Sequence, residues 1–331
     1  MSNIIKQKRP KTLDSIDKRL LYELDLKSDA SYQDLGDHAK IPKETAAFRV
    51  KRLVANGFIK NFRTTVHISR FGYYYYKFFF KFQQTTPQQE TEIISYLKKH
   101  RSIAYLASLE GRYDVTFLVI AKNLEHLQEF LGPFKAKFGP YIREQEILTM
   151  TSVHRFNFRF FYEGGQVRHD AYPDDLKEAD IDTTDYTIVR RLSEDARTKL
   201  TDIAKETKTH INVVRYHIAK LQKAGILGAP VLDVDFGKLG VEHYQVDLSL
   251  RDQTMVKPII DEALTFPEST FATVTLGKYD LALEFAVRDN ARLVEILNAL
   301  KQKFADSIIS SDTFVLHEHG VNWFPEKSPK P

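Results

Sequence analysis

The stretch Leu13 to Ile59 recurs without a gap as Ile181 to Leu227. LDSIDKRLLYEL lies over IDTTDYTIVRRL, and FRVKRLVANGFI over YHIAKLQKAGIL. Few identities survive, namely Asp14, Asp17, Leu24, Asp34, Lys40, Leu53 and Gly57 with their counterparts. What repeats is the placing of apolar side chains. Leu20, Leu21 and Leu24 match Ile188, Val189 and Leu192, while Ala46, Val50 and Leu53 match Val214, Ile218 and Leu221. Those spacings are i, i+3, i+4 and i+7, which is helical periodicity. Whatever fold satisfies one copy must satisfy the other, so the chain divides into two similar units.

Helix punctuation falls where the periodicity needs it. Asp14 and Asp182 stand as N-caps, and Gly57 and Gly225 as stops after the last periodic residue. Ser31 is placed to cap a second helix, and Ile41-Pro42 breaks the chain before a third, from about Lys43 to Asn56. In the second copy Thr209 is the expected cap. Each copy then turns β-like, over 58–66 and 226–234. Three helices followed by a strand read as a winged helix-turn-helix.

Downstream, each copy continues in the order βαββαβ. The first reads as strand 73–83, helix 88–100, two strands within 103–121, helix 124–138 and strand 147–161, with its central turn at Gly111-Arg-Tyr-Asp114. The second reads as 241–250, 256–264, 270–287, 291–304 and 308–316, turning at Gly277-Lys-Tyr-Asp280. That order is ferredoxin-like, with helices on one sheet face. The fold class is therefore α+β, a winged helix-turn-helix followed by a ferredoxin-like sandwich, duplicated in tandem. The expected divisions are 13–66, 67–162, a linker at 163–180, 181–232 and 233–324.

Charge separates the two copies although their patterns agree. The 331 residues carry 48 Lys+Arg against 44 Asp+Glu, a net charge of +4. Residues 1–165 hold 27 basic and 17 acidic side chains, and residues 166–331 hold 21 and 27. A basic first half suits a polyanionic partner. With no cysteine there is no disulfide framework, Cys-ligated metal site or thiol nucleophile. A basic start with no apolar h-region, and no long apolar run later, leads us to expect a cytoplasmic protein that does not enter a membrane.

A helix-turn-helix reads DNA through its last helix. At 100° per residue, Ala46, Val50 and Leu53 point inward and Glu44, Phe48, Lys51 and Arg52 outward, flanked by Lys43, Thr45, Ala47 and Arg49. In the second copy Asn212, Tyr216, Ala219 and Lys220 point outward, flanked by His210, Val213, Arg215 and His217. The aromatic repeated at Phe48 and Tyr216 suits a thymine methyl, and Arg49, Arg52 and Arg215 suit guanine edges or phosphates. Lys60 and Arg63 on the first wing are expected phosphate contacts, whereas the second wing offers Leu-Gly-Ala-Pro there.

Two further features read as structural. The run Phe71 to Phe82 is bulky on both faces of one strand, which fits burial on both sides better than a stacking platform for single-stranded RNA. His317 and His319 flank Glu318 without an evident third ligand, so no metal site is expected. No phosphate-binding glycine loop, zinc-protease run or nucleophile elbow occurs, and no cofactor is implied.

Asp14-Ser-Ile-Asp17 opening the first unit, Phe48-Arg-Val-Lys-Arg-Leu53 with Gly57-Phe-Ile, and a βαββαβ block turning at Gly-x-Tyr-Asp resemble the Lrp/AsnC family of leucine-responsive and feast/famine regulators. The resemblance covers about Leu13 to Phe161 and Ile181 to Trp323. It implies a sequence-specific double-stranded DNA-binding transcription regulator. It also implies self-association through the βαββαβ sheets, and a small effector such as an amino acid near the central turn. The implied effector residues are Gly111, Arg112, Tyr113 and Asp114, with Gly277, Lys278, Tyr279 and Asp280. Two units in one chain depart from the single-unit pattern. Pairing within the chain, as a pseudo-dimer with non-identical recognition helices, and pairing between two chains both stay open. The alternatives are a tetrapyrrole enzyme resembling sirohaem decarboxylases on the same fold, and a protein-interaction module.

Overall fold

The computed structural model describes residues 13–162, 165–173, 178–321 and 324. The basic start at 1–12, linker residues 163–164 and 174–177, and Trp323 lie outside the described residues. The first module holds α1 (Ser15–Leu26), α2 (Tyr32–Ala39), α3 (Lys43–Ala55) and β1 (Ile59–Val66). Leu20, Leu24, Leu35, Ala46, Val50 and Leu53 form its core. Asp14 caps α1, Ser31 makes a capping box with Asp34, and Gly57 ends α3 at φ +72°. There the Phe58 N–H donates to the Leu53 carbonyl, a Schellman stop that only a glycine takes without strain.

The first block follows as β2 (Tyr74–Phe82), α4 (Pro87–Lys99), β3 (Ile103–Glu110), β4 (Val115–Ala121), α5 (Leu124–Phe138) and β5 (Ile142–Phe156). The segment read as a linker carries a strand of its own, β6 (His169–Pro173), laid against the end of β5. Next come α6 (Thr183–Glu194), α7 (Leu200–Glu206), α8 (Ile211–Lys223) and β7 (Leu227–Val234). The cap of α8 is His210, whose side chain accepts from the Asn212 N–H, and not Thr209, whose hydroxyl is engaged by Thr207. The second block is β8 (Glu242–Leu250), α9 (Val256–Ala263), β9 (Ser269–Leu276), β10 (Leu281–Val287), α10 (Asn290–Phe304) and β11 (Ile308–Val321). Among the described residues no helix is long and apolar enough to cross a membrane.

Two departures from the sequence reading define the architecture. The strand after each helical module is not a separate wing: β1 and β7 pair with each other, antiparallel, with Phe62 opposite Leu232 and Arg63 opposite Val231. The last strand of each block is also displaced or longer than expected. β5 begins at Ile142, pairs first with β2 and then, from Thr149 to Arg155, with β9. β11 pairs with β8 up to Val315 and from there with β3, which is why it runs on to Val321. Each block thus lends its last strand to the other. Eight strands close in the order β2, β4, β3, β11, β8, β10, β9, β5 and back to β2.

The helices pack outside this barrel, α4 and α5 against one side and α9 and α10 against the other. Phe78 and Phe80 point outward beneath α5, where they meet Phe117, Phe130 and Phe134. Phe79 points inward against Tyr113, Tyr279 and Phe314. All three are fully buried, so this strand presents no stacking platform. At the barrel's centre Lys77 donates to Gln245, which holds both oxygens of Asp247.

Candidate DNA-reading faces and the barrel cavity

The recognition helices present the face that their periodicity implies. Phe48 and Tyr216, at equivalent positions, are 66% and 67% exposed, while Ala46, Val50, Val214 and Leu221 are buried. Lys43, Glu44, Lys51, Asn212 and Arg215 are exposed beside those rings, Thr45 and Ala47 are half-buried, and Arg215 donates to Asn212. An aromatic this open is available to a partner and is not the rim of a core.

Arg49, read as flanking, and Arg52, read as outward, are both turned back onto the first helix. Arg49 donates to Asp14 and Asp17 at 2.7 and 2.9 Å, and Arg52 grips both oxygens of Asp17 at 2.6 and 2.7 Å. Asp17 is almost wholly buried. Desolvation works against the Asp14 carboxylate, yet the Arg49 hydrogen bond and the capped backbone hold it below its ordinary value. The second module repeats the device with other residues. His217 and Lys220 meet Asp185 at 2.6 and 2.8 Å, and here too the hydrogen bonds outweigh burial and keep the Asp185 carboxyl low. Asp182, Asp185 and His217 come together closely enough for a metal ion. The Lys220 ammonium already occupies that charge, as Arg52 does in the first module. These four side chains tie each recognition helix to the start of the first helix of its module.

Lys60 and Arg63 lie on the β1–β7 ribbon. Lys60 meets Glu318 of β11 at 2.6 Å, and Arg63 meets Asp233 of β7 at 3.2 Å. Both therefore join the two units. The central turns are equally engaged. The Asp114 carboxylate accepts from Lys81 and the Phe82 N–H, and Asp280 accepts from the Leu250 N–H and Gln253. Tyr113 and Tyr279 are buried in the barrel, where Lys278 reaches Tyr113 at 3.2 Å and Tyr279 bonds Asp312. Gly111 and Arg112 are exposed. His317 pairs with Glu110 and His319 with Ser108, on separate partners.

The end of the barrel nearest the ribbon is not filled. Beneath Arg63, Thr65 and Asp233 lies a cavity of about 140 Å³. One wall carries Leu118, Met150 and Val153, and the other His243, Glu284 and Glu318. The hydrogen bond from His243 holds the Glu284 carboxyl below its ordinary value against the cost of burial. Sequence reasoning missed this site. Its residues are scattered over both blocks and the ribbon, and no local spacing marks them.

The fold and its exposed helices are those of a chain with two winged helix-turn-helix modules. The family described as winged helix-turn-helix DNA-binding matches residues 13–60 and again residues 181–227. An uncharacterized HTH-type transcriptional regulator of Pyrococcus furiosus is 27% identical over 146 residues, 44% of this chain and 97% of that protein. The regulatory protein AsnC of Haemophilus influenzae is 27% identical over 142 residues, 43% of this chain and 94% of that protein. The likeness to Lrp/AsnC regulators is thus borne out, with this chain about twice the length of those relatives. Over the whole chain the fold is similar to that of the siroheme decarboxylase NirDL, with a TM-score of 0.63, 10% identity and 95% of each chain covered.

Proposed function

We propose that the chain is a duplex-DNA-binding transcription regulator that acts as a single-chain pseudo-dimer. The observation that carries this reading is the pair of exposed recognition faces, Phe48 with Lys43 and Lys51, and Tyr216 with Arg215, held on one shared ribbon. The two faces differ, so the preferred site has unlike halves, spaced by about one helical turn or a multiple of it. Such a protein works in the cytoplasm, where the DNA is. A small effector such as an amino acid belongs to this reading. At the central turns it would meet Gly111, Arg112 and Gly277, because the tyrosines, the aspartates and Lys278 there are engaged.

The full-length likeness to a decarboxylase favours a second, enzymatic reading. Size argues against it. Pockets for drug-sized ligands run to roughly 300–1,000 Å³, and a tetrapyrrole is at the large end, whereas the barrel cavity is about 140 Å³ and the second hollow, between Asn61, Lys98, Arg101 and Arg190, is about 370 Å³, near the low end of that range. The regulator reading is therefore non-enzymatic.

Selection of the intact chain on a randomised duplex library tests the proposal. Enrichment of a motif with two unlike halves is the expected result. Binding that stays salt-sensitive and unselective overturns it and returns the enzyme and protein-interaction readings. A visible spectral change on adding a tetrapyrrole would favour the first of these.

A further inference from the structure

We propose that the cavity under the β1–β7 ribbon is a binding site for a small aliphatic carboxylate. It is separate from the central turns: the cavity takes the start of β3, at Tyr105, and the turn lies beyond that strand's end at Glu110.

An eight-stranded barrel is either filled by its own side chains or has room for one small ligand. This barrel does both. Phe79, Tyr113, Tyr279 and Phe314 fill the turn end, and the ribbon end is left open inside. A cavity near 150 Å³ holds a molecule of benzene's size, so about 140 Å³ suits roughly six to eight non-hydrogen atoms.

The lining gives the chemistry. Three of its buried polar atoms have no hydrogen-bond partner: Arg155 Nη1, Tyr105 Oη and His243 Nδ1. Buried polar atoms are nearly always paired, and the two unpaired donors, Arg155 Nη1 and Tyr105 Oη, mark the place of an absent acceptor. The rest of each group is fixed. Arg155 bonds Asp25 through Nη2 and lies over the Phe158 ring, and His243 Nε2 faces Glu284 at 3.1 Å. The Arg155 guanidinium only donates, and its strongest acceptor is a carboxylate. Burial pushes the Tyr105 hydroxyl well above its ordinary value, so it keeps its proton and donates as well. Beside them, Leu118, paired with Tyr105 across the β3–β4 ladder, and Met150 and Val153, on the same strand as Arg155, form an apolar wall for a hydrocarbon body. That wall belongs to the first block. In the second block Glu284 takes the place of Leu118, since each stands opposite the equivalent residue of the neighbouring strand, Gln245 or Lys77.

The site is tested by calorimetric titration of the full chain with 3-methylbutanoate, using 3-methylbutylamine and 3-methylbutanol as controls of equal body. Saturable binding of the carboxylate alone is expected. Tyr105→Phe removes one donor and keeps the ring, and should weaken binding about fivefold while raising the melting temperature of the unliganded protein. Arg155→Met combined with Asp25→Asn removes the guanidinium without leaving Asp25 as a buried, unpaired charge, and should abolish binding. Absence of saturable binding, equal binding of the three probes, or undiminished affinity in both variants overturns the proposal; the unpaired atoms would then hold only water. None of these outcomes depends on DNA, so the test stands whether or not the chain reads a duplex.

Discussion

Lys77 and Gln245 occupy equivalent positions in the two repeats and are hydrogen-bonded to each other at 2.8 Å inside the barrel. In a pair of identical blocks the same contact would set two lysines or two glutamines face to face, and two buried ammonium groups repel. The unlike residues favour pairing of the first block with the second, as the closed barrel has it. Lys77→Met should cost about 3 kcal/mol at pH 7, because it leaves the Asp247 carboxylate buried without its nearby cation. Adding Asp247→Asn should recover most of that loss. Denaturant unfolding of the single and double variants measures both effects, and additive losses would contradict the network.

Asp247 also gives the barrel a pH response. Burial pushes its carboxyl up to about 6, against attraction from Lys77 and the hydrogen bond from Gln245. A carboxyl raised on folding contributes stability below its unfolded value, near 4, and that contribution is lost as pH rises through about 6. The native chain should therefore lose stability relative to Asp247→Asn between about pH 4 and 7, by on the order of 2 kcal/mol, most of it below pH 6. Comparing the two proteins removes His154, which burial lowers to about 4 and which titrates in the opposite sense. Parallel stability curves over that range would count against the assignment.

The recognition helix separates support from contact. Removing Arg49 and Arg52 together strands Asp17 in the core and should destabilise the chain by about 2 to 3 kcal/mol. Asp17→Asn in that background should restore much of it. Phe48→Ala touches no core, so stability should stay within about 0.5 kcal/mol. Duplex affinity should nonetheless fall by on the order of 1 kcal/mol. Thermal melts and binding to the selected duplex together decide. A stable but binding-deficient Arg49, Arg52 double variant would make the arginines readers and not supports.

Periodicity and caps made the two helical modules legible, since Leu20, Leu24, Val50 and Leu53 repeat in register with their counterparts and each recognition helix stops at its own glycine. The two buried faces of Phe78, Phe79 and Phe80 were legible for the same local reason. What the sequence concealed is every partner set by long-range pairing. A run of alternating residues from Phe58 to Val66 reads the same whether its neighbour is a wing or β7. Arg49 and Arg52 lie on the flank of α3, and whether a flanking arginine meets water, DNA or Asp17 depends on how the first helix crosses behind it. The cavity was invisible because Tyr105, Arg155 and His243 meet only after each last strand has crossed to the other block.

On the ribbon, Lys60 should act as a support and not as the phosphate contact expected from sequence. Neutralising a lysine or arginine that contacts phosphate reduces the salt slope of duplex binding by about one. Lys60 is held by Glu318, and that carboxylate stays paired only while Lys60 is present: burial raises the Glu318 carboxyl above its ordinary value, and the Lys60 ammonium works against that rise. Lys60→Met should leave the salt slope unchanged and lower stability by roughly 1 to 2 kcal/mol, between the values for surface and buried pairs. Lys43→Ala and Lys51→Ala, on the exposed face of α3, should each reduce the slope and leave stability nearly unaltered. Measuring affinity for the selected duplex across a salt series discriminates the two sets. A reduced slope in Lys60→Met would mean that the ribbon opens onto the phosphates when DNA binds, with Glu318 released into the cavity.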